Sequence, residues 1–218
     1  GSYAPKYDNM IIDASKDLEK RSTGWMTRIK ALKLAGDRIL LPLYSDGFNM
    51  SMVAISDDDG DTWHASLPIV GRGNVQPALV QKKNGNILAF MRDNGDAPSR
   101  VQMSESADNG YSWSAAQKTN IPNEASVELL VCKDGRWAFV GNDEDDGRYR
   151  ISLYLSDDEG QSWQWKRTLE NDQEKNGRFS YPCLIQTDDG LLHISYSYSI
   201  GKGTESIKYV VVDPESIE

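Results

Sequence analysis

Arginine, tyrosine and acidic side chains recur where the apolar, alternating segments of this chain begin or end. Guanidinium groups can hold a carboxylate through paired hydrogen bonds, and carboxylic acids can act as acid or base in glycosidic cleavage. Arginines that lie together would therefore favour an anionic ligand. The candidate substrate-binding residues are Arg28, Tyr44, Gln76, Arg92, Arg148 and Arg150. The candidate catalytic residues are Tyr181, Asp93 and Glu128.

Three copies of an eight-residue motif, Ser-x-Asp-x-Gly-x-(Ser/Thr)-Trp, lie fifty residues apart at 56–63, 106–113 and 156–163. The aspartate can accept hydrogen bonds from the turn that follows it, and the glycine can adopt a positive φ. The tryptophan can bury a large apolar face and keep one N–H for a partner. We expect structural roles for Asp58, Gly60, Trp63, Asp108, Gly110, Trp113, Asp158, Gly160 and Trp163.

A period of about fifty residues is the size of one four-stranded propeller blade. Alternating segments flank every motif and predict blades near 26–70, 75–118, 125–170 and 180–213. The last of these has no motif and no fourth strand. The predicted fold is therefore all-β, a β-propeller of four-stranded antiparallel blades, about four in this chain. We assign this propeller domain to residues 23–218.

Residues 1–22 are more polar, and we predict an N-terminal arm or short helix there, since Ile11, Ile12 and Leu18 fall at roughly helical spacing. Alternatively, Met10–Asp13 forms the missing outer strand of the fourth blade. The blade count also leaves three options. The four blades could close a ring, belong to a larger propeller, or form an open arc that a second copy of the chain completes.

The topology of a blade decides which side of the propeller could carry chemistry. First strands begin and second strands end on one side, whereas the repeated motif joins strands three and four on the opposite side. Loops between strands two and three also reach the first side, where propellers place binding groups. Further residues expected there are Asp46, Arg100, Asn142, Asp143 and Tyr198.

Composition excludes some partners. A formal charge of −9 argues against a nucleic-acid or anionic-membrane partner. No apolar run approaches the roughly 20 residues of a membrane span. No secretory signal is visible, and the compartment stays open.

Cysteine and histidine usage bounds the metal and redox chemistry. Cys132 and Cys183 occupy similar places in consecutive repeats, so a disulfide is an option, but two buried free thiols are favoured. No Cys/His cluster has zinc spacing. The best acidic loop, 142–147, places Leu153 where a calcium loop needs glutamate. We expect no metal and no cofactor.

The repeated motif is the Asp-box, or bacterial neuraminidase repeat, and the chain resembles the sialidase superfamily over about residues 23–214. More closely, it resembles the carboxy-terminal two-thirds of sialidase-like proteins. Besides the boxes, the stretches that carry the resemblance are 24–28, 41–47, 73–77, 89–93, 180–182, 185–186 and 189–190.

The resemblance implies a glycan ligand, arginines that bind its carboxylate, a tyrosine nucleophile assisted by glutamate, and an aspartic acid as proton donor. By resemblance Arg92 is the second arginine, Arg148 or Arg150 the third, and Tyr181 the nucleophile. Gln76 stands where the glutamate is expected, and an amide cannot act as a base. Family members usually have six blades, and the two that would carry the first arginine and the acid are not recognised in this chain.

Three hypotheses follow for the function. The first is a glycan-active hydrolase with an altered or incomplete site, exo-acting on an acidic sugar such as sialic acid. In it Asp46, Asp93 or Glu128 could supply acid–base catalysis. The second is a non-catalytic carbohydrate-binding propeller. The third is a module that binds another protein.

Overall fold

A computed structural model describes residues 5–217 of the chain. The chain divides into two compact units, residues 1–120 and 121–218. Each unit contains two antiparallel sheets in which consecutive strands are neighbours. The predicted fold class, an all-β β-propeller built of antiparallel blades, is confirmed. We number the sheets as blades 1 to 4 in chain order.

The first unit opens with two helices, which are followed by blades 1 and 2. The carboxylate of Asp17 accepts hydrogen bonds from the backbone N–H groups of Glu19 (2.9 Å) and Lys20 (3.1 Å), and so caps the second helix. The alternative in which Met10–Asp13 forms a strand is wrong, because this segment lies within the first helix. The elements are α1 (Pro5–Lys16), α2 (Leu18–Thr23), β1 (Leu32–Lys33), β2 (Ile39–Ser45), β3 (Met50–Ser56), β4 (His64–Ala65), β5 (Asn74–Gln81), β6 (Ile87–Asp93), β7 (Arg100–Ser106) and β8 (Gln117–Pro122).

Blade 1 has shorter outer and inner strands than the sequence predicts. Ahead of β1 the chain keeps one bridge, in which Met26 and Tyr44 exchange backbone hydrogen bonds of 2.8 and 2.9 Å. The two-residue β4 covers little of the first box, so Trp63 is 44% exposed rather than buried as expected. Trp113 and Trp163 are half-buried.

The second unit forms blades 3 and 4. Blade 4 has three strands, as the missing fourth box predicts. A short 3-10 helix, Pro214–Ser216, follows it and is capped by Asp213, whose carboxylate accepts a hydrogen bond from the Glu215 N–H (2.9 Å). The strands are β9 (Glu128–Val131), β10 (Trp137–Asn142), β11 (Arg150–Ser156), β12 (Trp165–Asn171), β13 (Arg178–Gln186), β14 (Leu192–Ser199) and β15 (Ser206–Val212).

Each unit buries an apolar core between its own two blades. In the first unit, Leu40 and Ile55 of blade 1 pack in one cluster with Ile87 of blade 2, and all three are fully buried. In the second unit, Leu153 of blade 3 and Ile194 of blade 4 belong to a second cluster. Burial of these alternating side chains fixes the strands, and with them the ends of the strands where the candidate residues lie.

Both cysteines are free thiols, as favoured from the sequence. Cys132 is buried, and burial raises the pKa of its thiol to about 11. The expectation that Cys183 is buried is wrong, because this side chain is exposed. Its neighbour Leu184 fills the core, and side chains along a strand alternate between faces, so Cys183 points to the open face of blade 4.

Hydrogen bonds inside the turn close each Asp-box. In the second box, the Asp108 carboxylate accepts from the Ser112 hydroxyl (2.5 Å), the Ser112 N–H (2.8 Å) and the Ser106 hydroxyl (2.8 Å). Gly110 has a φ of 91°, and a Cβ there would lie 2.9 Å from the Leu40 side chain. Both the backbone conformation and the available space therefore require glycine.

Acid is expected to weaken the boxes. In all three, the hydroxyl of the residue directly before the tryptophan, together with backbone N–H donors, lowers the pKa of Asp58, Asp108 and Asp158 from 3.8 to about 2. Because the folded pKa is depressed, this stabilisation is present above pH 3.8 and is lost as the pH falls towards 2. We expect the urea midpoint of the wild type to drop over this range, and that of Asp108→Asn to drop less steeply. An identical acid dependence in the variant would contradict this role of Asp108.

Candidate functional site

A cavity of about 530 Å³ lies beside the start of β13 in the second unit. We call it the tyrosine cavity, because Tyr181 lines it. Six of its nine lining residues carry a hydroxyl group, and the others carry one carboxylate, one guanidinium and one aliphatic side chain. The volume suits a ligand of sugar size. The lining residues are Arg178, Ser180, Tyr181, Ser197, Tyr198, Ser199, Glu205, Ser206 and Ile207.

Tyr181 occupies a rare backbone conformation. Its φ is 55°, which residues other than glycine seldom adopt, and the proline that follows restricts the backbone further. The pairing of β13 with β14 shifts register between Ser180 and Cys183. Pro182 lies inside this shift and has no N–H to give to a ladder. The resulting bulge redirects the Tyr181 side chain towards the cavity.

A guanidinium group lies over the Tyr181 ring. Arg148 Cζ is 5.5 Å from the ring centroid, within the range of a cation–π contact. Arg148 Nε donates to the carbonyl oxygen of Glu124 (3.2 Å), which fixes the base of the side chain. Its two Nη groups have no hydrogen-bond partner within the described part of the chain. They are therefore available to bind an oxyanion.

Arg178 also lines a second cavity, of about 540 Å³. We call it the basic cavity, because three cationic side chains and one acidic side chain lie on its wall. The lining residues are Glu124, Gly147, Arg148, Tyr149, Lys175, Asn176, Gly177 and Arg178.

Arg150, the other candidate for the third arginine, pairs with acidic side chains of blade 3. Its Nε donates to Asp143 Oδ1 (2.8 Å), and Lys166 Nζ pairs with Asp143 Oδ2 (2.5 Å). Burial would raise the pKa of Asp143, but the hydrogen bonds from Lys166 and Arg150 outweigh it and hold that pKa below its ordinary value. Arg150 is thus tied to Asp143, whereas Arg148 reaches Tyr181.

Glu128 begins β9 and is 1% exposed. Its Oε1 accepts a hydrogen bond from the N–H of Leu129 (3.3 Å). β9 lies next to β13, so Glu128 is carried by the strand beside the one that bears Tyr181.

Gln76 in the first unit repeats the local geometry of Tyr181. It precedes Pro77, has a φ of 57°, and lies in a register shift between Val75 and Ala78. The side chain is nearly buried, and its Oε1 has no hydrogen-bond partner among the described residues. Because buried polar atoms are normally paired, this amide is expected to meet water or a ligand.

Arg92 and Asp93 end β6 with different surroundings. Arg92 lies opposite Val75, and its buried Nε has no hydrogen-bond partner among the residues described. The Asp93 side chain is fully buried and pairs with Lys118 Nζ (2.7 Å). Gln102 Nε2 donates to the other Asp93 oxygen (2.8 Å). Asp93 also accepts hydrogen bonds from the N–H groups of Gly95 (2.9 Å) and Arg100 (3.1 Å), and so anchors the loop that follows β6.

Arg28 and Tyr44 both belong to blade 1. Tyr44 bridges Met26, and Arg28 follows Met26 by two residues. Both side chains are half-buried. Within the first unit, the predicted binding residues thus fall into one group on blade 1 and another on blade 2.

A sequence profile of the BNR repeat-like domain matches residues 15–194 of the chain. The chain belongs to this family. It is also 26% identical over 178 residues to the anhydrosialidase of Macrobdella decora, an alignment that covers 73% of this chain and 23% of the relative. The predicted relationship to the sialidase superfamily is confirmed.

Solved structures share the fold of this BNR-repeat chain. The intramolecular trans-sialidase from Ruminococcus gnavus, in complex with oseltamivir carboxylate, gives a TM-score of 0.68 at 19% identity, over 86% of this chain and 43% of that one. The α-L-arabinanase of Penicillium chrysogenum gives 0.65 at 19% identity, over 86% and 63%. At these identities the likeness shows the fold alone. The chain spans 23% of the Macrobdella relative and less than half of the Ruminococcus protein.

Within the BNR repeats, two basic residues near the site were overlooked from the sequence. Lys175 lies in the connection from β12 to β13, and Arg178 is the first residue of β13, ahead of the strand start predicted at 180. The connection ends where β13 begins, so both residues reach the basic cavity. Basic residues directly ahead of a predicted first strand are the signal that could have identified them.

Across residues 5–217 of the BNR-repeat chain, no group of three His, Cys, Asp or Glu side chains is placed to hold a metal ion. No helix in the same range is long and apolar enough to cross a membrane.

Proposed function

We propose that this protein is a glycoside hydrolase of sialidase type, exo-acting on an acidic sugar such as sialic acid, with an altered active site. One observation carries the proposal. Tyr181 sits in a bulge with a φ of 55°, lines the tyrosine cavity, and has the Arg148 guanidinium 5.5 Å from its ring. Strained backbone conformations cluster at functional sites, and this one faces a cavity.

In the proposed reaction, the Tyr181 oxygen attacks the anomeric carbon while the bond to the departing alcohol breaks. Arg148 stabilises the negative charge that develops on the tyrosine oxygen, and its Nη groups bind the carboxylate of the sugar. Water then cleaves the glycosyl–tyrosine bond and restores the hydroxyl.

Glu205 is proposed to carry the proton. It is the one carboxylate among the described residues that line the tyrosine cavity. Glu205 takes the proton of the Tyr181 hydroxyl and gives it to the departing oxygen, and in the second step it passes a proton from water back to Tyr181. Gln76 cannot do this, since an amide is not a base.

The remaining predicted residues have supporting places in the proposal. Asp93 and Glu128, both buried, are assigned to positioning rather than to proton transfer. Arg150 is assigned to holding Asp143. Binding of the substrate by residues of the first unit stays a prediction for Arg28, Tyr44, Gln76 and Arg92.

Release of product from a panel of glycans tests the proposal. The panel holds sialosides, glycans with uronic acids and neutral glycosides, each incubated with folded protein. Turnover of an acidic member alone supports the proposal. Turnover of neutral glycosides alone, or no turnover of any member, overturns it.

A non-catalytic carbohydrate-binding protein is the second candidate, and Gln76 favours it. This amide stands where the family resemblance implies a glutamate, and its Oε1 is buried with no partner in the described residues. Saturable binding of a sialoside without any product would support this candidate over the hydrolase.

A further inference from the structure

The basic cavity concentrates positive charge on a chain whose formal charge is −9. The Arg178 side chain is exposed and makes no hydrogen bond or ion pair with any residue that the structure describes. Arg148 uses only its Nε, on the carbonyl oxygen of Glu124. Two guanidinium groups on one wall thus keep unused donors, which is the arrangement that oxyanions bind.

Lys175 adds a third cation to this wall. Its Nζ lies 4.6 Å from the centre of the Tyr149 ring and 3.9 Å from Asp146 Oδ1. The Tyr149 hydroxyl, with help from Asp146, raises the pKa of Lys175, so the amine is charged at neutral pH. Asp146 is largely exposed and stands at the limit of an ion pair, so it neutralises little of that charge.

The two cavities share Arg178, and Arg148 of the basic cavity lies over Tyr181 of the other. A ligand held at Tyr181 can therefore extend into the basic cavity. One carboxylate on the terminal sugar would occupy the Nη groups of Arg148. It would leave Lys175 and Arg178 without an anion.

We infer that the basic cavity is a subsite for a second anionic group, a sulfate or a further carboxylate, on an acidic glycan whose terminal sugar lies at Tyr181. This inference rests on the proposed function for the position of the terminal sugar. The favoured substrate is accordingly a dianionic glycan rather than one with a single negative charge.

Binding of three ligands to Tyr181→Phe protein, in which turnover cannot interfere, tests the subsite. The ligands are sialyllactose, its sulfated form and a disialylated form, titrated by calorimetry at low salt, because screening weakens exposed charges. We expect the sulfated or the disialylated ligand to bind about tenfold more tightly than sialyllactose. The tighter of the two identifies the second anion as sulfate or carboxylate. Equal affinity of all three overturns the inference.

Variants that remove positive charge test whether the basic cavity causes the preference for a dianionic ligand. The measured quantity is the ratio of the affinity for the tighter dianionic ligand to the affinity for sialyllactose. Lys175→Gln should reduce this ratio, and Lys175→Gln with Arg178→Gln should bring it to about one. Lys202→Gln is the matched control, because Lys202 is exposed but lines neither cavity, and it should keep the full ratio. A ratio that survives in the double variant overturns the inference.

Inorganic sulfate separates failure of the subsite from failure of the proposed function. If sialyllactose does not bind, the terminal-sugar site fails, but the subsite is still tested by NMR of arginine side chains. Saturable sulfate-induced shifts of Arg178 that disappear with Lys175→Gln uphold an anion site. Shifts that do not saturate, or that persist unchanged in Lys175→Gln, overturn it.

Discussion

Replacement of Tyr181 by phenylalanine is expected to lower kcat on a sialoside by roughly a thousandfold or more. The hydroxyl acts on the reacting carbon, so kcat and kcat/KM should fall together. Phenylalanine keeps the ring beneath Arg148 and can adopt the same backbone bulge, so the fold should persist. Initial rates of product release, with a urea unfolding curve for each protein, measure both effects.

Tyr198→Phe is the matched control, because Tyr198 lines the same cavity. Its ring packs on Phe179, with centroids 5.3 Å apart, and Lys208 Nζ lies 5.0 Å from its centre. These contacts do not need the hydroxyl, so the rate should stay within about threefold of the wild type. Equal losses in Tyr181→Phe and Tyr198→Phe would show that the cavity, rather than a nucleophile, had been disturbed.

Glu205→Gln tests the proposed proton carrier in the same assay. We expect a loss of roughly a hundredfold, the size of an acid–base contribution, with little change in KM. A full rate in Glu205→Gln would remove Glu205 from the mechanism.

Loss of the Asp143 carboxylate is expected to lower the free energy of unfolding by about 3 kcal/mol. The Asp143 side chain is 2% exposed and pairs with Arg150 (2.8 Å) and Lys166 (2.5 Å). It also accepts hydrogen bonds from Tyr154 and Ser152, both at 3.0 Å. Asp143→Ala leaves these donors without an acceptor, and the two cations, being partly exposed, recover some hydration. Urea unfolding at neutral pH measures the loss.

The stabilisation that Asp143 provides should decrease as the pH falls. Its pKa is lowered from the ordinary 3.8 in the folded protein, so its contribution is present above that value and fades as the pH falls through the folded pKa. The difference between wild type and Asp143→Ala should therefore shrink in acid. Asp145→Ala, at an exposed position in the same loop, is the control and should cost under about 0.5 kcal/mol. Similar costs for the two variants at neutral pH would contradict the network.

Much of the fold was predictable from local pattern. The boxes specify their own turns, because the hydrogen bonds of the central aspartate, such as those of Asp108, close within eight residues. Alternation of apolar residues predicted most strands for a similar reason. Side chains of a strand point to opposite faces with a period of two residues, so the pattern can be read from neighbouring positions. Blade 1 departs from its prediction because Met26–Leu34 makes only one bridge and a two-residue strand, and strand length depends on pairing across the sheet.

The candidate site depended more on contacts between distant segments. The family resemblance left either Arg148 or Arg150 as the third arginine. Their surroundings differ in the structure, because the buried Asp143 binds Arg150. The exposure of Cys183 follows from the register shift at Pro182, which the pairing of β13 with β14 decides. Lys175 belongs to the candidate site because several segments of the chain together form the wall of the basic cavity.

The sequence by itself determined that this chain forms Asp-box blades, and it named Tyr181 and Arg148 among its candidates, because repeats and motifs are written in neighbouring residues. Tertiary structure decided that Tyr181 adopts a positive φ, that Arg148 lies over it, and that Lys175 and Arg178 share the wall of the basic cavity with Arg148. These arrangements depend on strand pairing and on which arginine the buried Asp143 carboxylate binds. Such interactions join residues far apart in the chain, where local spacing carries no information.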